Sequence, residues 1–471
     1  MKAIKYLLMG ALLAGFSTTA NAQEEELQAA LSAIKAKSGN VADAAKTAYK
    51  KNKKNPEALV KIARAFYEQK DTAKAREFAM YADVAAKHKS ADAFIILGDI
   101  EQVANDGGAA SNMYKQAMIA DPKNWNSYYK YALINRKINP KGAEEALENM
   151  RINCPDKPVD AIKGHIFYLA NKLKDSYDAY SKVPVNQLDK EYLLEYAPTC
   201  FFNGKHEEGL AAVKRGLEIE PRNAKFNRFG MMFNAELKNY EEADKYVNKF
   251  FNESDSAKVT DLVNFYAGII NEGLGKNEVA LDYYMKTLDL TSDTSFIKAP
   301  QVYDKIISIY KANQDYPNAI SYYQKLMDTK PELKFDDYEG LAKLYTKYAE
   351  NDEANKAKHI AKAVELYREA GEKFPIQATY AAYQCATMNN KLDENMTKSL
   401  AKPDYQKIVS LLENKADRDK NENTMLKYSY HYLMSNAFLI GKNKAQAKEY
   451  ADKILAIDPD YAPAQQIRDL K

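Results

Sequence analysis

Residues 94–122 read FIILGDIEQVANDGGAASNMYKQAMIADP, and the spacing inside this stretch decides the fold. Gly98 is followed by Ala110, Tyr114, Ala117 and Pro122, in steps of 12, 4, 3 and 5. Steps of three and four set Ala110, Tyr114 and Ala117 on one face of a helix with about 3.6 residues per turn. The small residue twelve positions earlier belongs to a preceding helix and lets two backbones approach closely. Proline has no amide donor, so Pro122 ends the second helix. The stretch is an antiparallel helix pair.

The same steps recur along the chain. They join Ala197, Gly209, Val213, Gly216 and Pro221; Ile307, Ala319, Tyr323, Leu326 and Pro331; and Ser435, Ala447, Ala451, Ile454 and Pro459. Gly268, Ala280, Tyr284 and Thr287 follow them with Ser292 in place of the proline. Pro56, Pro122, Pro155 and Pro221 lie 66, 33 and 66 residues apart, and Pro375 adds a further marker, so the repeat is about 34 residues long. Turn residues such as Asn203-Gly204-Lys205, Lys238-Asn239-Tyr240 and Gly441-Lys442-Asn443 mark the bend within a pair. Extending the phase gives twelve units, beginning near residues 24, 57, 89, 123, 156, 188, 222, 255, 295, 332, 376 and 423, and a closing helix from about Ala462 to Leu470. Unit 156–187 is short, and the polar insertion Lys347 to Lys362 is expected to lengthen its pair or its turn. Stretches 388–402 and 413–423 read as loops in an irregular region, 388–423, and connections near 252–258 and 291–299 as flex points within one continuous array, 23–471.

This pattern resembles the tetratricopeptide repeat. Phe94, Leu97 and Gly98 carry its first half in one copy. Phe226, Phe229, Gly230 and Phe233, then Tyr240, Ala243, Val247 and Phe250, carry it in another. Tyr303, Ile306, Ile307 and Tyr310 repeat it ahead of Tyr316 and Ala319. The resemblance implies an all-α, right-handed superhelical α-solenoid whose first helices line a concave groove that takes extended peptides or partner helices. By helical phase the groove-facing residues would be Tyr129, Leu133, Arg136, Leu194, Phe201, Asn227, Met231, Asn234, Phe265 and Ile269. Amides and a guanidinium along an apolar stripe could pair with the main chain of an extended ligand. The Lys and Asn set with which some members clamp a terminal carboxylate is not found, so a chaperone-tail function is not implied.

The first 22 residues read as an export signal: Lys2 and Lys5, an apolar run from Tyr6 to Phe16, then Ala20-Asn21-Ala22 before a cleavage point. About 11 apolar residues are too few to cross a hydrocarbon core of roughly 30 Å, and no later segment reaches that length. No cysteine stands at the cleavage point for lipid attachment. A periplasmic protein is expected, with secretion as the second choice. Removing Lys2 and Lys5 leaves 66 basic residues against 65 acidic, which gives no net attraction to nucleic acid or anionic lipid.

The side chains that carry chemistry are scattered. His88, His165, His206, His359 and His431 lack metal-ligand spacing, and no metal or other cofactor is expected. Gly273-Leu274-Gly275-Lys276-Asn277 lacks both the leading glycine and the hydroxyl residue of a phosphate loop. Cys154, Cys200 and Cys385 are too few for a disulfide framework; a Cys154–Cys200 bridge would need contact between neighbouring repeats. Tyrosine is abundant, 35 residues against 17 Phe and 1 Trp; Tyr114, Tyr284, Tyr310, Tyr323, Tyr345 and Tyr367 fall at internal positions, whereas Tyr128, Tyr129, Tyr380, Tyr383 and Tyr428 suit an interface. The expected function is a non-enzymatic scaffold or adaptor of the cell envelope that binds a protein or peptide, with no nucleic acid and no membrane span after signal cleavage. The alternative is a carbohydrate-binding or nutrient-uptake component, against which stand the missing lipoprotein cysteine and the single Trp125.

Overall fold

The computed structural model describes residues 22–470, so the export signal expected over 1–22 lies, apart from Ala22, outside the described residues. Those residues are helical throughout, with no β-strand among them. Contacts divide the chain into two compact units, one ending at Ala257 and the other beginning at Lys258, within the connection expected at 252–258.

The first unit holds seven antiparallel helix pairs, starting with 22–36 and Val41–Asn52. The fourth to seventh are Trp125–Asn135 with Pro140–Asn153, Val159–Leu169 with Leu173–Tyr180, Lys190–Phe202 with His206–Ile219, and Ala224–Glu236 with Tyr240–Asn248. The second unit holds five, from Asp261–Gly273 with Asn277–Leu290 to Lys420–Leu439 with Lys444–Ile457, and closes with Ala462–Arg468. The polar insertion lengthens both members of its pair, Phe335–Asn351 and Lys356–Lys373. The loop expected at 388–402 is shorter: its helix runs on to Leu392, and the next starts at Lys402.

Seven of the bends share one construction. Lys70, Asn105, Asn171, Gly204, Lys238, Gly275 and Gln314 each stand two residues past a first helix, with φ between 58° and 72°. In this left-handed conformation the next amide reaches back five residues, as from Asp71 to Phe66 O and from Asn239 to Asn234 O, and satisfies carbonyls the helix leaves open. The side chain that follows then starts the second helix; the carboxylate of Asp71 accepts the Lys74 amide, and that of Asp106 the Ala109 amide.

The glycines explain why the pairs are tight. A Cβ on Gly98 would lie 2.5 Å from the Tyr114 ring, on Gly164 2.7 Å from Tyr180, and on Gly268 2.5 Å from Tyr284; Gly230 faces Tyr246 in the same way. Each aromatic lies sixteen residues after its glycine, across the pair. Gly209 and Gly216 do the corresponding work between pairs, against Phe233 and Phe226 of the next first helix. Tyr114, Tyr180, Tyr284, Phe226 and Phe233 are consequently among the largest fully buried side chains. Cys154, Cys200 and Cys385 are free and buried.

Candidate partner-binding surface

The first helices of pairs four to seven lie side by side in the first unit, and their side chains form a continuous polar and aromatic face. On Trp125–Asn135, Trp125 and Tyr129 sit with ring centroids 6.1 Å apart. Tyr129 stacks on His165 of the next first helix, and its hydroxyl meets His165 Nε2 at 3.2 Å. The other ring nitrogen, Nδ1, lies 2.9 Å from the Glu195 carboxylate on Lys190–Phe202. Tyr180 donates its hydroxyl to that carboxylate at 2.6 Å, and the Tyr192 ring lies 6.0 Å from His165. Four helices, three of them first helices, are thus tied by one hydrogen-bonded chain, which fixes the rings of the wall.

Tyr129, His165 and Glu195 have the order of a nucleophile, a base and an orienting acid. Burial, and then the Glu195 charge, push the Tyr129 phenol above its ordinary range. It is held protonated, as a hydrogen-bonding wall residue. Among the described residues no group of histidine, cysteine and acidic side chains is placed to hold a metal ion.

Two guanidiniums flank this chain. Arg136 donates one terminal nitrogen to Leu133 O at 2.5 Å, while its Nε is buried with no partner. Arg228, on Ala224–Glu236, lies over the Phe229 ring at 5.1 Å, and its Nε is likewise buried and unpartnered. Burial lowers the Arg228 pKa, and the only charge effect opposing this comes from Tyr168, so no carboxylate compensates it. Phe201 and Phe229 continue the face, with ring centroids 6.2 Å apart.

The residues expected in the groove separate into three groups. Tyr129, Leu133, Arg136, Leu194 and Phe201 are partly exposed in the first unit, and Leu194 borders a cleft of about 630 Å³ with Ile219, Arg222 and Lys225. Asn227, Met231 and Asn234 are corrected: they are 0%, 0% and 1% exposed and have no surface to offer. The cause is local. After Tyr240–Asn248 the chain makes a π-helical turn, Lys249–Glu253, and returns over the seventh pair. There the Asp255 amide donates to Arg222 O and the Asn227 amide group to Ser254 Oγ, each at 2.9 Å. Phe265 belongs to the second unit and is buried in its core with Tyr284 and Ile306, which corrects its placement, whereas Ile269 is only partly buried against that core. His165, Tyr168 and Glu195 were missed because they lie in or next to the short fifth unit. The step of sixteen from Gly164 to Tyr180 is the signal that fixes its phase.

The fold and this face define a helix-pair repeat protein whose surface is built across neighbouring repeats. Residues 57–90, which comprise most of the second pair, match the sequence profile described as "Tetratricopeptide repeat". One helix pair of this chain thus matches the tetratricopeptide-repeat profile, and the other pairs repeat its helix-turn-helix form. No curated protein matches it. Among solved structures it is similar to the C-terminal part of a TPR repeat-containing protein from Cytophaga hutchinsonii: 20% identity, TM-score 0.37, covering 59% of this chain and 100% of that one. A tetratricopeptide repeat protein from Parabacteroides merdae is 16% identical with TM-score 0.33, covering 51% and 94%. YrrB, described as a TPR protein with an unusual peptide-binding site, is 15% identical with TM-score 0.26, covering 50% and 95%.

Proposed function

We propose that this chain is a non-enzymatic scaffold of the bacterial cell envelope, exported by cleavage after Ala22, and that it holds a segment of a partner protein against the first helices of pairs four to seven. The observation that carries the reading is the Trp125–Tyr129–His165–Tyr192 wall. It sets broad, rigid rings at a part-exposed surface at low entropic cost and ties them across three helices. No helix among the described residues is long and apolar enough to cross a membrane, which fits a chain that works outside the bilayer.

The test is a photo-crosslinking amino acid placed in the full chain, in its native host, at Tyr129 or at Phe202, which is 54% exposed at the end of Lys190–Phe202. Ile152, 76% exposed on a second helix, is the control. Discrete protein adducts are expected from Tyr129 and Phe202 and not from Ile152. Adducts from all three alike, or from Ile152 alone, would count against this face. N-terminal sequencing of the mature protein should begin at Gln23; a chain retaining Met1 would remove the export claim.

A further inference from the structure

Building on that reading, we infer that the partner segment is acidic, and that Arg136 and Arg228 are the two points that read its carboxylates. An ordinary surface arginine keeps its guanidinium in water or pairs it with an acid. Neither of these is paired with an acid. Each buries its Nε–H without an acceptor, and no ion pair involves either side chain. The nearby acid, Glu195, is already engaged by His165 and by the Tyr180 hydroxyl. Its field reaches both Tyr129 and Tyr168, and at the same two tyrosines it is opposed by Arg136 and by Arg228 respectively. The surface therefore has a hydrogen-bonded carboxylate at its centre with a cation on either side of it.

A part-exposed guanidinium without a counter-charge keeps its terminal N–H groups available, and a carboxylate arriving in its plane accepts from them in parallel. Neighbouring helices pack about 8–10 Å apart, so the fourth and seventh first helices stand roughly 25–30 Å apart. An extended chain at about 3.3 Å per residue covers that with roughly eight or nine residues. The occupant is a partner's extended segment bearing Asp or Glu at two positions so separated, with apolar or aromatic side chains between them to lie on the Tyr129, His165 and Phe201 rings. The alternative source of charge, a free anion, lacks that span.

Fluorescence anisotropy on the full chain tests this with a labelled peptide of about 12 residues alternating Glu with Leu, and with its Gln counterpart. The Glu peptide is expected to bind at least about tenfold tighter than the Gln peptide, with affinity falling as salt rises. Arg136→Gln and Arg228→Gln should each weaken it about tenfold, while Arg228→Lys restores part of the loss. Arg228→Gln should melt no earlier than the parent, since it removes a cation whose burial no acid offsets. Equal binding of the two peptides, no binding of the Glu peptide, or affinity unchanged in both Gln variants overturns the inference. If that occurs while Tyr129 and Phe202 still crosslink to a partner, the scaffold reading stands and only its acidic ligand is wrong. Loss of the crosslinks as well removes the surface itself.

Discussion

Gly98 and Tyr114 show how a single side chain is answered across a helix pair. The Tyr114 ring occupies the space a Cβ on Gly98 would need, and its hydroxyl donates to the buried Asp99 carboxylate at 2.7 Å. Gly98→Ala should therefore destabilise the first unit by about 1–3 kcal/mol even though alanine favours a helix, and Gly98→Ala with Tyr114→Leu should recover part of the loss. Urea titration of the single and double variants measures both. The thiols give a second residue-scale outcome. Burial raises all three cysteines, with Cys200 and Cys385 pushed up to about 12. A thiol reagent at neutral pH should leave the native protein almost untouched and titrate all three after unfolding. Rapid reaction of native Cys200 would contradict its placement. Residues at this scale were legible wherever a small residue and an aromatic keep the step of sixteen. Arg228 was not legible, because its meaning depends on the absence of an acid that only packing reveals.

At the scale of elements, the common left-handed bend predicts where the sequence is not at its optimum. Lys238 holds φ 59° at a position Gly204 and Gly275 fill without strain. Lys238→Gly should stabilise the first unit by about 1 kcal/mol, read as a higher urea midpoint; a lower midpoint would show that the lysine side chain contributes more than the bend costs. The long helix Lys420–Leu439 supplies the pH dependence. His431 buries its Nδ1 with no partner, and burial lowers its pKa. The folded state then binds fewer protons than the unfolded one, whose imidazole titrates near 6.5. The His431 contribution is complete above about pH 6.5 and is lost as the pH falls through the depressed folded value. Stability should fall between about pH 7 and pH 5, and His431→Leu should shrink that fall. An identical fall in the variant would assign it elsewhere. Helix pairs and most bends were readable at this scale because their signals are local. The π turn at Lys249–Glu253 was not, and it brings Ser254 onto the Asn227 amide group, which the repeat phase alone would expose.

At the scale of the molecule, each unit is a succession of pairs in which a core is shared only with neighbours. The buried clusters follow chain order, from Leu27 through Ile100, then Tyr128 through Ile166, and in the second unit Phe265 through Ile309 before Phe335 through Met388. In such an array stability is a sum of repeat and nearest-neighbour terms, and the proposed binding face lasts only as long as the contacts from pair four to pair seven. Gly216 against Phe226 is one of those contacts. The most direct measurement is hydrogen exchange followed by mass spectrometry on the full chain carrying Gly216→Val. Amides of His206–Ile219 and Ala224–Glu236 should exchange much faster, those of the adjoining pairs somewhat faster, and those of the first three pairs at the parent rate. Equal loss of protection in every pair of the first unit would mean one indivisible core, and would contradict the account.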